Sequence, residues 1–235
     1  GGVAPGGGGG GGAAPPPPPP PRRRQMAASR LPRLGITGGI GSGKSTALAY
    51  LRELGAAVIS SDDVVHELLH DPDIVAAIAA HFGEAVIVDG AVNRPALAGI
   101  VFHERAELDW LEGLLHPHVR RRFAEWAAAQ ERARPRPAMI VAEVPLLFET
   151  GWAEDFDHTM LVTAPVDVRR RRLSAKLTDS EFARRLEQQM PEEEKIARAD
   201  FVCHNTGSRR RLRDCVREAF ATIIAARADG VGTRS

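Results

Sequence analysis

Residues 34–46 read LGITGGIGSGKST, an apolar run followed by a glycine-rich turn and a lysine. The octet Gly38 to Ser45 matches the pattern G-x-x-x-x-G-K-[ST] of phosphate-binding loops. An expected strand precedes it and an expected helix follows it, which is the context such a loop requires. These residues therefore predict an α/β fold with a nucleoside triphosphate site after its first strand.

The residue types of this loop explain why it would bind phosphate. Glycines let backbone N–H groups turn toward a phosphate at the positive end of the following helix. Lys44 is expected to bring its charge to the β- and γ-phosphates, and the Ser45 hydroxyl is expected to ligate Mg²⁺. The expected nucleotide contacts are Gly38, Gly39, Gly41, Ser42, Gly43, Lys44, Ser45 and Thr46.

Short apolar runs alternate with helical patterns along the chain, which is typical of βαβ units. Five runs are predicted as parallel strands: Leu34–Thr37, Ala57–Ser60, Met139–Val144, Thr159–Thr163 and Phe201–His204. A final helix is predicted around Arg209 to Ala226. The predicted fold class is α/β, a three-layer P-loop fold with a five-stranded parallel sheet.

Two helical stretches are too long for simple connections. Residues 63–133 lie between the second and third strands and are predicted to form an inserted helical subdomain. Residues 166–197 follow the fourth strand, and their position and arginines favour a helical lid. The folded domain is placed at residues 34–228, with residues 229–235 as a disordered tail.

The first 33 residues differ in composition from the rest. A glycine run and seven prolines precede Arg22 to Arg24, so this segment has little to bury and is predicted to be disordered. It could be an organellar targeting segment, but it is poor in serine and has no amphipathic pattern. An upstream extension with Met26 as the true start is favoured, and a cytoplasmic location is expected.

Charge and cysteine content exclude several classes of protein. The net charge is +1, yet residues 1–33 hold five arginines and no acid, which leaves 26 basic and 30 acidic residues beyond them. An acidic domain of this kind is not typical of nucleic-acid binding. The spacing of Cys203 and Cys215 fits neither a disulfide framework nor a zinc site, which indicates a reducing compartment. No apolar run approaches the ~18–20 residues of a membrane span.

Asp62 is the candidate for the catalytic base. It follows the second strand, at the sheet edge where ligands of doubly wound folds bind, and its carboxylate could take the proton of an acceptor hydroxyl. Asp62 and Asp63 could equally be the N-cap and first turn of the next helix.

Two other patterns have competing interpretations. Arg169 to Arg172 could cover a transferring phosphate, although at least two of them should point into solvent. The sequence His66-Glu67-Leu68-Leu69-His70 fits the zinc-protease pattern H-E-x-x-H, but Asp71-Pro72 ends the helix directly after it and no third-ligand motif follows. A surface helix is favoured for these histidines.

Several blocks in a fixed order resemble the dephospho-coenzyme A kinase family over nearly all of residues 34–227. The blocks are Leu34 to Thr46, Val58 to Asp62, Asn93 to Leu97 with Val101-Phe102, Leu114 to Val119, Val144 to Gly151, and Gln189 with Ala199 to Asn205. The resemblance implies that ATP phosphorylates the ribose 3′-hydroxyl of dephospho-coenzyme A, with Mg²⁺ as cofactor.

The same resemblance implies roles for particular residues. Asp62 would be the base, and Arg94 and His116 would lie on the acceptor side. Asn205 would lie on the adenine side of the nucleotide. The inserted subdomain would bind the acceptor.

Two departures from the family pattern concern the metal site and the lid. The family usually has two aspartates in the second-strand motif, whereas Ser60 and Ser61 precede Asp62 here, which could weaken Mg²⁺ binding. The lid is one residue short at residues 174–178 and lacks the usual arginine, for which Arg172 or Lys176 could substitute, although lysine lacks the planar fork of arginine.

Three alternatives therefore remain beside the dephospho-coenzyme A kinase. A P-loop kinase could act on another small acceptor such as a nucleoside monophosphate. A weakened relative could bind the nucleotide without turnover. A zinc protease would contain stoichiometric zinc.

Overall fold

The computed structural model describes residues 30–175, 177–187 and 189–231. In chain order the regular elements of these residues are β1 (Arg33–Thr37), α1 (Lys44–Glu53), β2 (Ala57–Ser60), α2 (Ser61–Leu68), α3 (Pro72–Phe82), β3 (Ile87–Val88), β4 (Ala91–Val92), α4 (Arg94–Val101), α5 (Arg105–Arg132), β5 (Ile140–Glu143), β6 (His158–Thr163), α6 (Val166–Leu173), α7 (Asp179–Glu187), α8 (Glu192–Arg198), β7 (Phe201–His204) and α9 (Arg209–Val231). Short 3₁₀ helices cover Glu84–Val86 and Trp152–Asp155.

Five of the strands form one parallel sheet in the order β2-β5-β1-β6-β7. The predicted parallel strands and the α/β class are thereby confirmed. β1 lies at the centre, so the loop that follows it emerges in the middle of the sheet edge. Because all five strands are parallel, their carboxyl ends meet at this same edge.

The sheet separates two apolar cores, as expected when side chains alternate along a strand. Leu34 and Ile36 of β1 pack on one face with α1 and α9. On the opposite face, Ile140 and Ala142 of β5 pack with the inserted region, and the centre of that core is Phe123 of α5. This arrangement gives the three predicted layers.

The inserted region spans α2 to α5 and is not purely helical, which corrects the sequence prediction. β3 and β4 pair as a two-stranded antiparallel hairpin, with Asp89 at φ 51° and Gly90 at φ 76° in its tight turn. Each strand of this hairpin has only two residues, which is too short for the alternation of apolar and polar side chains that predicts a strand.

Two predicted boundaries shift. Residues 30–33 belong to the fold, because Leu31 is buried, Arg30 pairs with Asp157, and β1 begins at Arg33. α9 continues to Val231, past the predicted start of a tail at residue 229. The other residues of the predicted terminal segments, 1–29 and 232–235, lie outside the described chain.

The two cysteines form a disulfide, which contradicts the expectation from their spacing. Cys203 lies on β7 and Cys215 on α9, twelve residues apart in sequence. The strand and the helix pack against each other, so the fold brings together two residues that sequence spacing gave no reason to pair. The expected reducing compartment therefore loses its basis.

Within the described residues, none of the helices combines the length and the apolar character needed to cross a membrane.

Phe123 offers a test of the second core. Its ring contacts the rings of Trp126, Trp152 and Phe156, and the side chain is 4% exposed. Phe123→Ala should lower the free energy of unfolding by about 3–5 kcal/mol, because the change leaves a cavity. Phe102→Ala, at a site that is 49% exposed, should cost about 1 kcal/mol or less. Denaturant unfolding of both variants measures this, and equal losses would contradict the assigned core.

Candidate active site

The loop between β1 and α1 has the backbone that phosphate binding requires. Gly41 and Gly43 have φ angles of 75° and 104°, and Gly43 directly precedes α1 as its N-cap. The N–H of Ser42 donates to the carbonyl of Gly39 at 3.1 Å, which holds the turn. The first N–H groups of α1 therefore face the loop, where the helix dipole favours an anion.

Three neighbouring elements touch this loop so closely that side chains are excluded from it. A Cβ added at Gly38 would overlap the carbonyl oxygen of Val162 on β6, and one at Gly39 would overlap the Arg169 guanidinium. A Cβ at Gly43 would overlap the side-chain amide of Asn205. At Gly38 the obstructing atom belongs to the backbone and at Gly43 φ is 104°, so glycine at these two positions is required by the structure as well as by the motif.

Asn205 and Arg172 hold the loop through its carbonyl groups. Asn205 Nδ2 donates to the Ser42 carbonyl at 2.8 Å. Arg172 Nη1 donates to the Gly41 carbonyl at 3.2 Å, and Nη2 donates to the Asn205 carbonyl at 3.1 Å. Arg172 was a candidate for the lid arginine, and in this structure it connects α6 to the loop and to the end of β7.

Lys44 lies between the loop and a glutamate that sequence reasoning missed. Its Nζ donates to the Gly38 carbonyl at 2.9 Å and lies 3.7 Å from Glu143 Oε1. Burial lowers the pKa of Lys44 and raises the pKa of Glu143, while the attraction between the two charges opposes both shifts. The ammonium is thus largely withdrawn from solvent and directed at the phosphate position.

Asp62 lies in the first turn of α2, together with Asp63. The N-cap position belongs to Ser60, and no side chain caps the helix. Burial raises the pKa of the Asp62 carboxyl, and the charges of Lys44, Arg94 and Arg185 partly offset that shift. A carboxylate with a raised pKa next to a phosphate-binding lysine has the properties of a general base.

The acceptor-side candidates lie around Asp62. Asp62 and His116 line one cavity of about 150 Å³, together with Arg120 of α5. Apolar side chains form most of its remaining wall: Val65, Val119, Val144, Leu146 and Trp152. Arg94 Nη1 lies 3.4 Å from His66 Nδ1, and its charge acts on Asp62. The structure therefore brings Arg94, His116 and Asp62 to one region.

The two histidines of the H-E-x-x-H pattern contact each other. His70 Nδ1 is 2.8 Å from the His66 carbonyl oxygen, and the two rings contact each other edge to face. Among the described residues, no group of three or more His, Cys, Asp or Glu side chains is placed to hold a metal ion. The pattern lies on α2 and in the turn after it, as the surface-helix interpretation requires.

The oxygen donors near Lys44 suit Mg²⁺ better than zinc, because Mg²⁺ prefers a few carboxylates and hydroxyls with phosphate oxygens and water. Ser45 is exposed in the first turn of α1, and the carboxylates of Asp62 and Glu143 interact electrostatically. Burial is the main cause of the raised pKa of Glu143, and the Ser60 side chain acts in the opposite direction. Glu143, at the end of β5, is thus a second carboxylate that interacts with Asp62 and Lys44.

The predicted lid consists of α6, α7 and α8, and its arginines divide as the sequence suggested. Arg170 and Arg171 face outward and pair with Asp179 and Asp167. Arg169 and Arg172 point inward to the loop. Lys176, the other candidate for the lid cation, lies outside the described residues.

Strand register explains why Glu143 belongs to the site. It ends β5 and aligns with Ser60 of β2 on one side and with Ile36 of β1 on the other. An acidic residue at the carboxyl end of an otherwise apolar strand was the available sequence signal. Its significance depends on β5 lying next to β1, which the sequence does not reveal.

These features define a P-loop kinase: a phosphate-binding loop after a central parallel strand, with the carboxylate of Asp62 and the helices α6 to α8 beside it. The family model described as CoaE, dephospho-CoA kinase, matches residues 33–210. The chain therefore belongs to the dephospho-CoA kinase family and is an ATP-dependent kinase. The family, the fold class and the enzyme class expected from the sequence are confirmed.

Individual relatives agree with this assignment. The chain is 39% identical to a dephospho-CoA kinase of Thermus thermophilus over 201 residues, which cover 85% of this chain and 95% of that protein. The solved structure of TT1252 from Thermus thermophilus is similar with a TM-score of 0.71 and 38% identity, covering 82% of this chain and 98% of that one. A dephospho-CoA kinase from Campylobacter jejuni is similar with a TM-score of 0.55 and 26% identity, covering 81% and 96%.

Gly38→Ala tests the close packing of the loop. Gly38 has a φ angle of 149°, and a Cβ there would meet backbone that cannot move away. We expect the strain to lower the free energy of unfolding by about 1–3 kcal/mol and ATP affinity to fall about tenfold or more. Gly99→Ala, at an open position in α4, should be neutral or stabilise by up to about 1 kcal/mol. Unchanged ATP binding in Gly38→Ala, measured by calorimetry, would show that the loop tolerates a side chain.

Proposed function

We propose that this chain transfers the γ-phosphoryl group of ATP to the ribose 3′-hydroxyl of dephospho-coenzyme A, with Asp62 as the base. The observation that carries the proposal is the placement of Asp62, which has a raised pKa, between the phosphate-binding lysine and the cavity lined by His116. Family membership supports the choice of acceptor.

The proposed reaction is an in-line displacement. Asp62 accepts the proton of the acceptor hydroxyl while the hydroxyl oxygen forms a bond to the γ-phosphorus of ATP. The bond from that phosphorus to the β–γ bridging oxygen breaks, and ADP leaves with this oxygen and its electron pair. Lys44 and the N–H groups at the start of α1 stabilise the charge on the phosphate oxygens.

The cavity beside Asp62 is proposed to receive the nucleoside end of the acceptor. Its apolar wall suits a flat base, and His116 and Arg120 add polar groups at the rim. Arg94 is placed to keep an anionic group of the acceptor near Asp62, because its charge already acts there. This arrangement would orient the ribose hydroxyl toward the base.

Mg²⁺ is proposed as the metal cofactor, with Ser45 as a direct ligand and Glu143 as a direct or water-mediated one. When bound, the ion would neutralise charge on the β- and γ-phosphates. Glu143 is held for this task by Ser60 and by Lys44. Glu143 on β5 would then supply the carboxylate that Ser60 on the neighbouring strand β2 lacks.

A kinase of a different small acceptor remains the second candidate, because the phosphate-binding half of the site would be the same. A screen of dephospho-coenzyme A against nucleoside monophosphates distinguishes the two. A cytoplasmic location, with organellar targeting by residues 1–33 left open, stays a prediction.

Asp62→Asn is the direct test of the proposed base. Turnover of dephospho-coenzyme A should fall about 10²–10⁴-fold, because the amide cannot accept the proton. ATP affinity should be retained, since the phosphate-binding loop is unchanged. A coupled ADP-release assay together with calorimetry measures both quantities. Turnover within a few-fold of wild type would rule out Asp62 as the base.

The same variant tests the pKa shift through stability. Since burial raises the carboxyl pKa above the usual value of an aspartate, the native state binds this proton more tightly than the unfolded chain. The charged carboxylate therefore destabilises the fold as pH rises from about that value through the raised pKa. At pH 7 Asp62→Asn should melt at or above the wild-type Tm, and the difference should shrink at acidic pH. A lower Tm of the variant at pH 7 would contradict the shift.

Glu143→Gln tests the proposed metal site. The Mg²⁺ concentration for half-maximal activity should rise about 10–100-fold, as is usual when a group that supports a metal ion is removed. Glu125→Gln is the matched control, because Glu125 forms only an exposed pair with Arg121. A Mg²⁺ titration of both variants measures the effect. If both variants resembled wild type, Glu143 would have no part in metal binding.

A further inference from the structure

A buried lysine beside the phosphate-binding loop has no role in the mechanism above. The side chain of Lys195 on α8 is 3% exposed, and its Nζ lies 2.8 Å from Glu149 Oε1. That contact lacks hydrogen-bond geometry, and the ammonium makes no hydrogen bond to the residues that the structure describes. An ammonium has three N–H donors, and burying them unpaired is costly. Lys195 can therefore donate to a bound oxyanion.

Lys195 borders a cavity of about 480 Å³ between the phosphate-binding loop and the lid. Gly39 of the loop lines the cavity on one side, and Gln189 and Arg169 line it on the lid side. Burial is the main cause of the lowered pKa of Lys44, and the charge of Lys195 adds to that shift. The charges of Lys195 and Lys44 thus act on each other, and Lys195 shares its cavity with Gly39 of the loop.

Arg169 adds a second buried cation to this cavity. Its side chain is 2% exposed. Nε donates to the Ala164 carbonyl and Nη2 donates to Glu192 Oε2, both at 2.9 Å. Nη1 points at Gly39, where an added Cβ would overlap it. The Thr163 hydroxyl also donates to Glu192, so the carboxylate that holds this guanidinium is itself fixed.

Each of the three buried cations next to the phosphate-binding loop has one carboxylate partner. The pairs are Lys44–Glu143, Lys195–Glu149 and Arg169–Glu192. Glu149 also accepts the backbone N–H of Met190 at 2.9 Å, which fixes its position. One carboxylate keeps each buried cation charged without using all its donors. Positive groups arranged in this way are preorganised for an anion.

We propose that Lys195 and Arg169 form an oxyanion subsite for the γ-phosphoryl group of the bound nucleotide, so that the enzyme distinguishes ATP from ADP. The subsite rests on the proposed use of ATP as phosphoryl donor. Lys195 donates to a γ-phosphate oxygen from the lid side, opposite Lys44 and the loop N–H groups. The pair Lys195–Glu149 thereby connects the lid to the loop after β5.

Equilibrium binding of MgATP and MgADP tests the subsite by titration calorimetry. Lys195→Met keeps the length of the side chain and removes its charge. The Kd for ATP should rise about tenfold or more, while the Kd for ADP should change less than about threefold, because ADP lacks the γ-phosphate. Equal weakening of both nucleotides, or no change in either, would overturn the proposal.

Arg171→Met is the matched control. Arg171 lies on α6, 75% exposed and paired only with Asp167. Removing the Arg171 charge should leave the Kd for ATP and the Kd for ADP unchanged. A selective loss of ATP affinity in this variant would mean that any nearby positive charge has the same effect. That result would also overturn the proposal.

Lys195→Met leaves Glu149 buried without its cation and could unfold the protein. If the melting curve shows this, Lys195→Met/Glu149→Gln removes both charges and is titrated under the same criterion. Turnover should fall about 10²-fold in either variant, and Lys195→Arg should recover part of it by restoring a cation. Turnover at the wild-type level in the folded variant would contradict a contact with the transferring group.

These measurements separate the subsite from the acceptor assignment. Wild-type protein that fails to phosphorylate dephospho-coenzyme A, while Lys195→Met still loses ATP selectively, would refute the acceptor and support the subsite. Normal phosphorylation by wild type with unchanged nucleotide selectivity in Lys195→Met would support the acceptor and refute the subsite.

Discussion

Close packing around the phosphate-binding loop is the constraint on which the other features of the site depend. Glycines at three positions let β6, α6 and the end of β7 approach the loop backbone to the limit of contact. Arg172 and Asn205 then bind its carbonyl groups, which fixes the loop backbone against α6 and the end of β7. The loop is thus shaped by distant parts of the chain as much as by its own sequence.

The same packing buries three positively charged side chains next to the loop. Each of them is paired with one carboxylate. Lys44, Lys195 and Arg169 are each paired with a glutamate from a different element. Such pairs are weak contributors to stability, so their presence points to function. Burial raises the pKa of the Asp62 carboxyl, as it does for Glu143, which suits a group that must take up a proton.

Much of the fold followed from the sequence because its signals are local. The five apolar runs and the loop motif located the strands and the phosphate end of the site. The hairpin of β3 and β4 was missed because it is only two residues wide, and the disulfide was missed because pairing depends on how β7 packs on α9. Glu143, Glu149 and Lys195 were missed for the same reason, since single charged residues acquire meaning only once strand order and helix orientation place them beside Lys44.

We infer that Asp62 faces the acceptor hydroxyl across from the phosphate-binding loop. A crystal structure with dephospho-coenzyme A and a non-hydrolysable ATP analogue would show this contact. We expect a carboxylate oxygen of Asp62 about 2.6–3.2 Å from the ribose 3′-oxygen, with the 3′-oxygen facing the γ-phosphorus. An acceptor bound with its 3′-hydroxyl directed away from Asp62, toward a different side chain, would contradict it.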